Sequence, residues 1–200
     1  MRYGQVSKSD AASAKRERNK QIRWVIIIFF VTILVSGAIS FASAEVMAVS
    51  TMPVAFLILF FIIIVGIVFD IIGVAVTSAD EKPFHSMAAR KVPGSLEAIR
   101  LLRNAGRVGS ICNDVVGDIC GVVSGAASAT IAGQIVNNFS FTLPQIVSLA
   151  MSALAAAATV GGKAMGKSFA IQSCTKIVHT AGKVIWFFHH IPQQMFRKKK

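Results

Sequence analysis

The sequence predicts an all-α integral membrane protein with about four transmembrane helices and juxtamembrane amphipathic helices beside them. Three observations predict it. First, 54% of the 200 residues are hydrophobic, and mean hydropathy is +0.64. Soluble domains are about 45–50% apolar even with glycine counted. Second, the excess is gathered into blocks near the roughly 20 residues that cross a bilayer as a helix. Third, the basic residues flank those blocks, and the blocks' opposite ends carry none.

Residues 1–23 form a basic arm, with Lys15, Arg16, Arg18, Lys20 and Arg23 crowding its end. The first apolar block, about 24–44, admits two readings. It is either a retained transmembrane helix or the h-region of a signal peptide cleaved after Ala42-Ser43-Ala44. Arm and block are both long for a signal peptide, which favours the helix. The second block, 53–78, is the most apolar and opens with Pro53. Proline suits a first helical turn, where its missing N–H costs nothing.

Residues 79–107 are polar and mixed, with Pro83 and Pro93-Gly94 as punctuation. Two short helices against the membrane face are expected within about 80–106, with Ser95 as an N-cap. The third span, about 108–136, is rich in Gly, Ala and Ser. A short turn at 137–144 leads to the fourth span, about 145–162, which is nearly all small residues. Small residues let membrane helices approach closely. An amphipathic interfacial helix is expected over about 164–190, and 192–200 form a basic tail ending in RKKK.

Lys and Arg occur only in the arm, in 79–107 and from Lys163 onward. The positive-inside rule then places both termini in the cytoplasm of a multi-pass cell-membrane protein. An even number of spans requires the same arrangement. The net charge of +12 suits anionic lipid headgroups. No nucleic-acid recognition motif is present. Cys112, Cys120 and Cys174 have neither CxxC nor zinc-ligand spacing and read as small packing residues. His189-His190 follow Trp186-Phe187-Phe188 and read as an interfacial anchor. Nucleophile elbow, phosphate loop, HExxH and dinucleotide fingerprint are all missing, so no enzyme is expected.

The candidate functional residues are ionisable groups inside spans. Each costs about 2.5–3.5 kcal/mol on insertion scales and persists when paired or useful. Asp70 lies in the second span, two turns from its inner end. Asp114 and Asp118 share a face of the third, beside Asn113. Lys163 ends the fourth. Carboxylates and amide oxygens are ligands for a hard cation such as Mg²⁺. The alternative is a structural lock, in which one of the aspartates pairs with Lys163 or Arg107. Thr77, Ser78 and Ser110 are weaker ligand candidates, because hydroxyls in membrane helices tend to bond the preceding turn.

Three motifs between Phe69 and Phe188 carry a family resemblance. FDIIGVAVTS keeps Phe69, Ala75 and Ser78 of one family motif; ICNDVVGD keeps Ile111, Asn113 and Val116 of a second; GKAMGKSFA keeps Gly162, Lys167 and Ala170 of a third. With the basic stretch SLEAIRLLRNAGR between the first two, their order resembles the transmembrane domain of the CorC/CorB and cyclin-M (CNNM) magnesium transport family. The resemblance implies a three-span homodimer, here with an added first helix. It also implies a Mg²⁺ site of Ser and Asn side chains, backbone carbonyls and a Glu. Asn113 matches that site. The Glu position is Lys163, the Ser positions are Asp70 and Ile72, the first motif's Glu is Gly73, and the last motif's Pro is Gly166. The nucleotide-binding CBS pair that follows in the family is not expected within these residues.

Two functional expectations result. One is a divergent divalent-cation transport protein, with Asp70, Asn113, Asp114 and Asp118 along the ion path and Lys163 modulating it. Mg²⁺ then enters as the transported ion, and no cofactor is needed. The other is a non-transporting scaffold or regulatory partner whose site is closed by an Asp–Lys pair.

Overall fold

The computed structural model describes residues 8–139 and 143–197. Parts of the expected arm, of the 137–144 turn and of the tail therefore lie outside the described residues. The chain is an all-α membrane protein, with four helices among the described residues long and apolar enough to cross a bilayer. In hydrocarbon every backbone N–H and C=O must bond within the protein, and a helix does this within one segment.

Helix α1 (Lys8–Val49) is continuous through the basic stretch and the first apolar block. Ala, Lys, Arg, Glu and Gln there are good helix formers. Extending an existing helix also avoids the cost of a new nucleus. Most of the expected arm is thus helical. Helix α2 (Met52–Ser78) starts after Thr51 with Pro53 in its first turn, and it stops where Ala79 turns extended. The short helices α3 (Lys82–Ala89) and α4 (Ser95–Arg103) follow.

Ser95 does not cap α4. The N-cap is Gly94, at φ 82°, and the Ser95 hydroxyl donates instead to the Val92 carbonyl at 2.7 Å. The left-handed backbone of Gly94 turns the chain into α4 and takes over the capping position. Helix α3 ends with Lys91 N–H donating to Ala88 O at 2.9 Å and Val92 N–H to Met87 O at 3.0 Å. This pair of bonds is a Schellman closure, with Lys91 in the left-handed position at φ 56°.

The third span is not a single regular helix. Helix α5 (Ala105–Ser110) passes into a π-helical segment (Ile111–Val116) and then into α6 (Gly117–Phe139). Helix α7 (Pro144–Gln172) runs nearly three turns past the expected end near 162. It breaks only at Ser173, and α8 (Cys174–Arg197) begins there. The expected amphipathic helix over 164–190 is therefore split between the end of α7 and α8. Gly161, Gly162 and Gly166 do not stop α7, because neighbouring helices pack on two of them.

Two contacts orient α1 on the third span, one from α5 and one from α6. The Arg107 guanidinium lies 5.5 Å from the centroid of the Trp24 ring. At the other end Gln134 Nε2 donates to Met47 O at 3.0 Å. Helix α1 and the third span therefore run parallel. Two buried clusters lie at the two ends of the bundle. Met47, Ala55, Leu59, Ile63, Ala127 and Ile131 form one. Ala75, Val76, Phe84, Ala98, Ile99, Ala170 and Val178 form the other, at the basic end, where α3, α4 and α8 gather. Many large apolar side chains face outward, among them Phe30, Leu34, Leu57, Phe60 and Leu149. Lipid tails cover such positions without cost.

Helix α8 rests on α4 where Gly94 and Gly182 meet: a Cβ on Gly94 would lie 2.7 Å from Lys183 Cα. Gly94→Ala is expected to cost about 1–3 kcal/mol, because it adds left-handed strain to this backbone contact. Gly121→Ala, where a Cβ meets nothing within 4 Å, is expected to keep or raise stability. Melting temperatures in detergent check both.

Candidate functional site

Three polar residues of the spans, Asp70, Asn113 and Lys163, lie where α2, the π-helical segment and α7 come together, toward the basic end. Close approach is possible because side chains on one helix face glycines on another. Ile67 and Ile71 of α2 lie over Gly162 and Gly166 of α7; a Cβ on Gly166 would sit 2.7 Å from Ile71 Cγ1. On its other side α2 presents Gly66 to Cys120 and Gly73 to Asn113. A Cβ on Gly73 would come within 2.8 Å of Asn113 Cγ.

Asp70 lies between these two contacts along α2. Lys163, next to Gly162, reaches across so that its Nζ is 3.9 Å from Asp70 Oδ1. The side chains are 16% exposed for Asp70 and 25% for Lys163, so most of each is removed from solvent. The ammonium also lies above Gly117, where a Cβ would be 3.2 Å from Nζ. Gly117 N–H donates to Cys112 O, closing the π-helical segment. The ammonium thus occupies the space between α2 and α6 that a larger residue at 117 would fill. At 3.9 Å the pair is held by charge and not by a direct hydrogen bond.

Asn113 is half-buried, and its Oδ1 is fully buried with no hydrogen-bond partner among the described residues. An amide oxygen in that state is under-satisfied, and a donor or a cation would complete it. Gln134 Oε1 and His179 Nε2 are in the same state elsewhere in the bundle. The π-helical segment adds one residue to a turn, and π-bulges recur at functional sites.

Asp114 and Asp118 do share one face, but it is an exposed face of the third span. Among the described residues, no group of three His, Cys, Asp or Glu side chains comes together to hold a metal ion. The expected ion path thus separates into two parts: Asp70, Lys163 and Asn113 inside the bundle, and Asp114 with Asp118 outside it. Among the described residues Arg107 pairs with no aspartate; its guanidinium lies over the Trp24 ring. The Thr77 hydroxyl donates to the Gly73 and Val74 carbonyls at 3.1 and 3.0 Å, as the backbone-bonding expectation holds. The three cysteines are free thiols.

The sequence reading missed Gln134, which ties α6 to the end of α1, and Gly117, which makes room for Lys163. A lone amide in GAASATIAGQIV and a glycine one turn below Asn113 were the available signals. Neither identifies its partner without the fold. Comparison of the chain with family models, curated proteins and solved structures finds no match.

The proximity of Asp70 and Lys163 predicts energetic coupling. Lys163→Met should lower the melting temperature in detergent, with a cost of about 1–3 kcal/mol for a carboxylate left under-satisfied. Asp70→Asn should cost less in the Lys163→Met background than in the wild type. Strict additivity of the two substitutions would show that the pair contributes nothing.

Proposed function

We propose that this chain is a non-transporting membrane scaffold or regulatory partner, in which the Lys163 ammonium stands where a cation would otherwise bind. The observation that carries the reading is the position of Nζ, 3.9 Å from Asp70 Oδ1 and directly over Gly117. A tethered ammonium supplies Asp70 with a positive charge and repels a divalent ion from the same space. The exposure of Asp114 and Asp118, away from Asn113 and Asp70, supports it further. In this reading the chain is a multi-pass protein of the cell membrane, with both termini cytoplasmic by the positive-inside rule. It is a homodimer and a divergent relative of the CorC/CorB and cyclin-M transport proteins.

One observation favours divalent-cation transport as a second reading. Asn113 Oδ1 is buried without a partner among the described residues, one helix away from Asp70, in a π-helical segment. Amide and carboxylate oxygens are ligands that Mg²⁺ accepts. Irregular backbone within a span is also where transporters place their ion sites. Asp70 and Asn113 would then form the inner part of the path, with Asp114 and Asp118 at its mouth.

Calorimetric titration of Mg²⁺ into the purified protein separates the two. The wild type is expected to show no binding, and Lys163→Glu, which replaces the ammonium by a carboxylate, is expected to bind. Binding by the wild type would overturn the closed-site reading. Under the second reading Asp70→Asn would then abolish that binding.

A further inference from the structure

We infer that the groove between α2, α7 and α8 at the basic end is a binding site for one anionic phospholipid. The acyl chain lies in the groove and the headgroup on Lys176. The groove has a volume of about 870 Å³, within the range of about 300–1,000 Å³ typical of small-molecule sites. Its floor is apolar: Phe69 and Ile72 of α2, Val108 of α5, Phe169 of α7, and Ile177 and Val184 of α8 all contribute. Phe69, Phe169 and Val184 remain exposed, so the groove opens outward from the bundle.

Polar groups line one edge alone. Ser173, Lys176 and Thr180 lie three and four residues apart, on one stripe at the start of α8. Ile177, Ala181 and Val184 form the neighbouring stripe, which faces the floor. The Thr180 hydroxyl is turned to the Lys176 carbonyl at 2.9 Å. The Lys176 side chain is exposed and has no ion pair among the described residues. An apolar trough with an unpaired cation on one rim is complementary to a molecule with a long hydrocarbon chain and an anionic head. The level of the groove in the bundle selects a lipid over a soluble anion. Val108–Cys112 lie in the first turns of the third span, and Val68–Ile72 lie about two to three turns from the basic end of α2, the depth at which one leaflet's tails run up to its headgroups. A zwitterionic lipid would fill the trough equally well and gain nothing net from Lys176.

Native mass spectrometry of the full chain in neutral detergent, with dioleoyl phosphatidylglycerol and dioleoyl phosphatidylcholine at equal concentration, tests this. The wild type is expected to retain one phosphatidylglycerol, about fivefold over phosphatidylcholine. That ratio is what one lysine near an anionic surface provides. Lys176→Gln is expected to remove the preference. Lys167→Gln, which deletes an exposed charge outside the groove, is expected to keep it. Ala181→Phe, which narrows the trough, is expected to reduce phosphatidylglycerol retention. Equal retention of the two lipids by the wild type, an equal effect of Lys167→Gln and Lys176→Gln, or unchanged retention in Ala181→Phe would each overturn the assignment. So would a dimer that excludes lipid from both copies.

Discussion

The close approach of α2 to its neighbours is the constraint on which the rest of the structure depends. Within a bilayer, apolar side chains gain nothing by leaving lipid for one another, so helices associate through fit and polar contacts. Helix α2 has that fit on two sides. Its Ile67 and Ile71 sit on Gly162 and Gly166, four residues apart on each helix, and its own Gly66 and Gly73 receive Cys120 and Asn113. A side chain at any of these four glycines would displace a neighbour. The central position of α2 therefore follows from where side chains are missing as much as from where they are bulky.

That fit determines which charges can meet. Asp70 is one residue before Ile71, so docking Ile71 on Gly166 brings Asp70 to the level of Lys163 and Gly117. The π-helical turn acts on the other side. It carries Asn113 toward Gly73 and leaves Asp114 on the exposed face. A polar layer thus crosses the bundle near its basic end, with an ammonium, a carboxylate and an amide oxygen on three different segments. Among the described residues its cost in an apolar medium is offset for Asp70 and Lys163, while Asn113 Oδ1 is left over.

The basic end also holds the short helices, and their arrangement is governed by backbone contact. Gly94 turns the chain at φ 82° and lies against Gly182 and Lys183, so α8 is pressed onto α4. This seats Val178 in the core shared with Phe84 and Ala98. One face of α8 remains available beside α2 and α7, and the apolar groove with Lys176 on its rim results. The exposed pairing of Arg103 with Glu81, at 3.0 Å, adds little stability by itself. It joins the end of α4 to the start of α3.

Hydropathy and the placement of lysine and arginine were enough, by themselves, to determine the helical membrane fold and the number of long apolar helices. They depend on the solvent each segment requires, which is a local property of the chain. Pro53 was also readable as a helix start. Helix α7 runs on past the expected end of the fourth span near 162, where Gly162 and Gly166 are packed under Ile67 and Ile71 of α2, contacts that the local sequence does not reveal. Ser95 looked like a cap until the left-handed Gly94 took the position. The partner of Lys163 was open among Asp70, Asp114 and Asp118, since each lies at a depth it can reach. The tertiary structure decided for Asp70, because the rotation of each helix about its own axis is set by interlocking side chains and glycines on other helices. No stretch of sequence contains that rotation by itself.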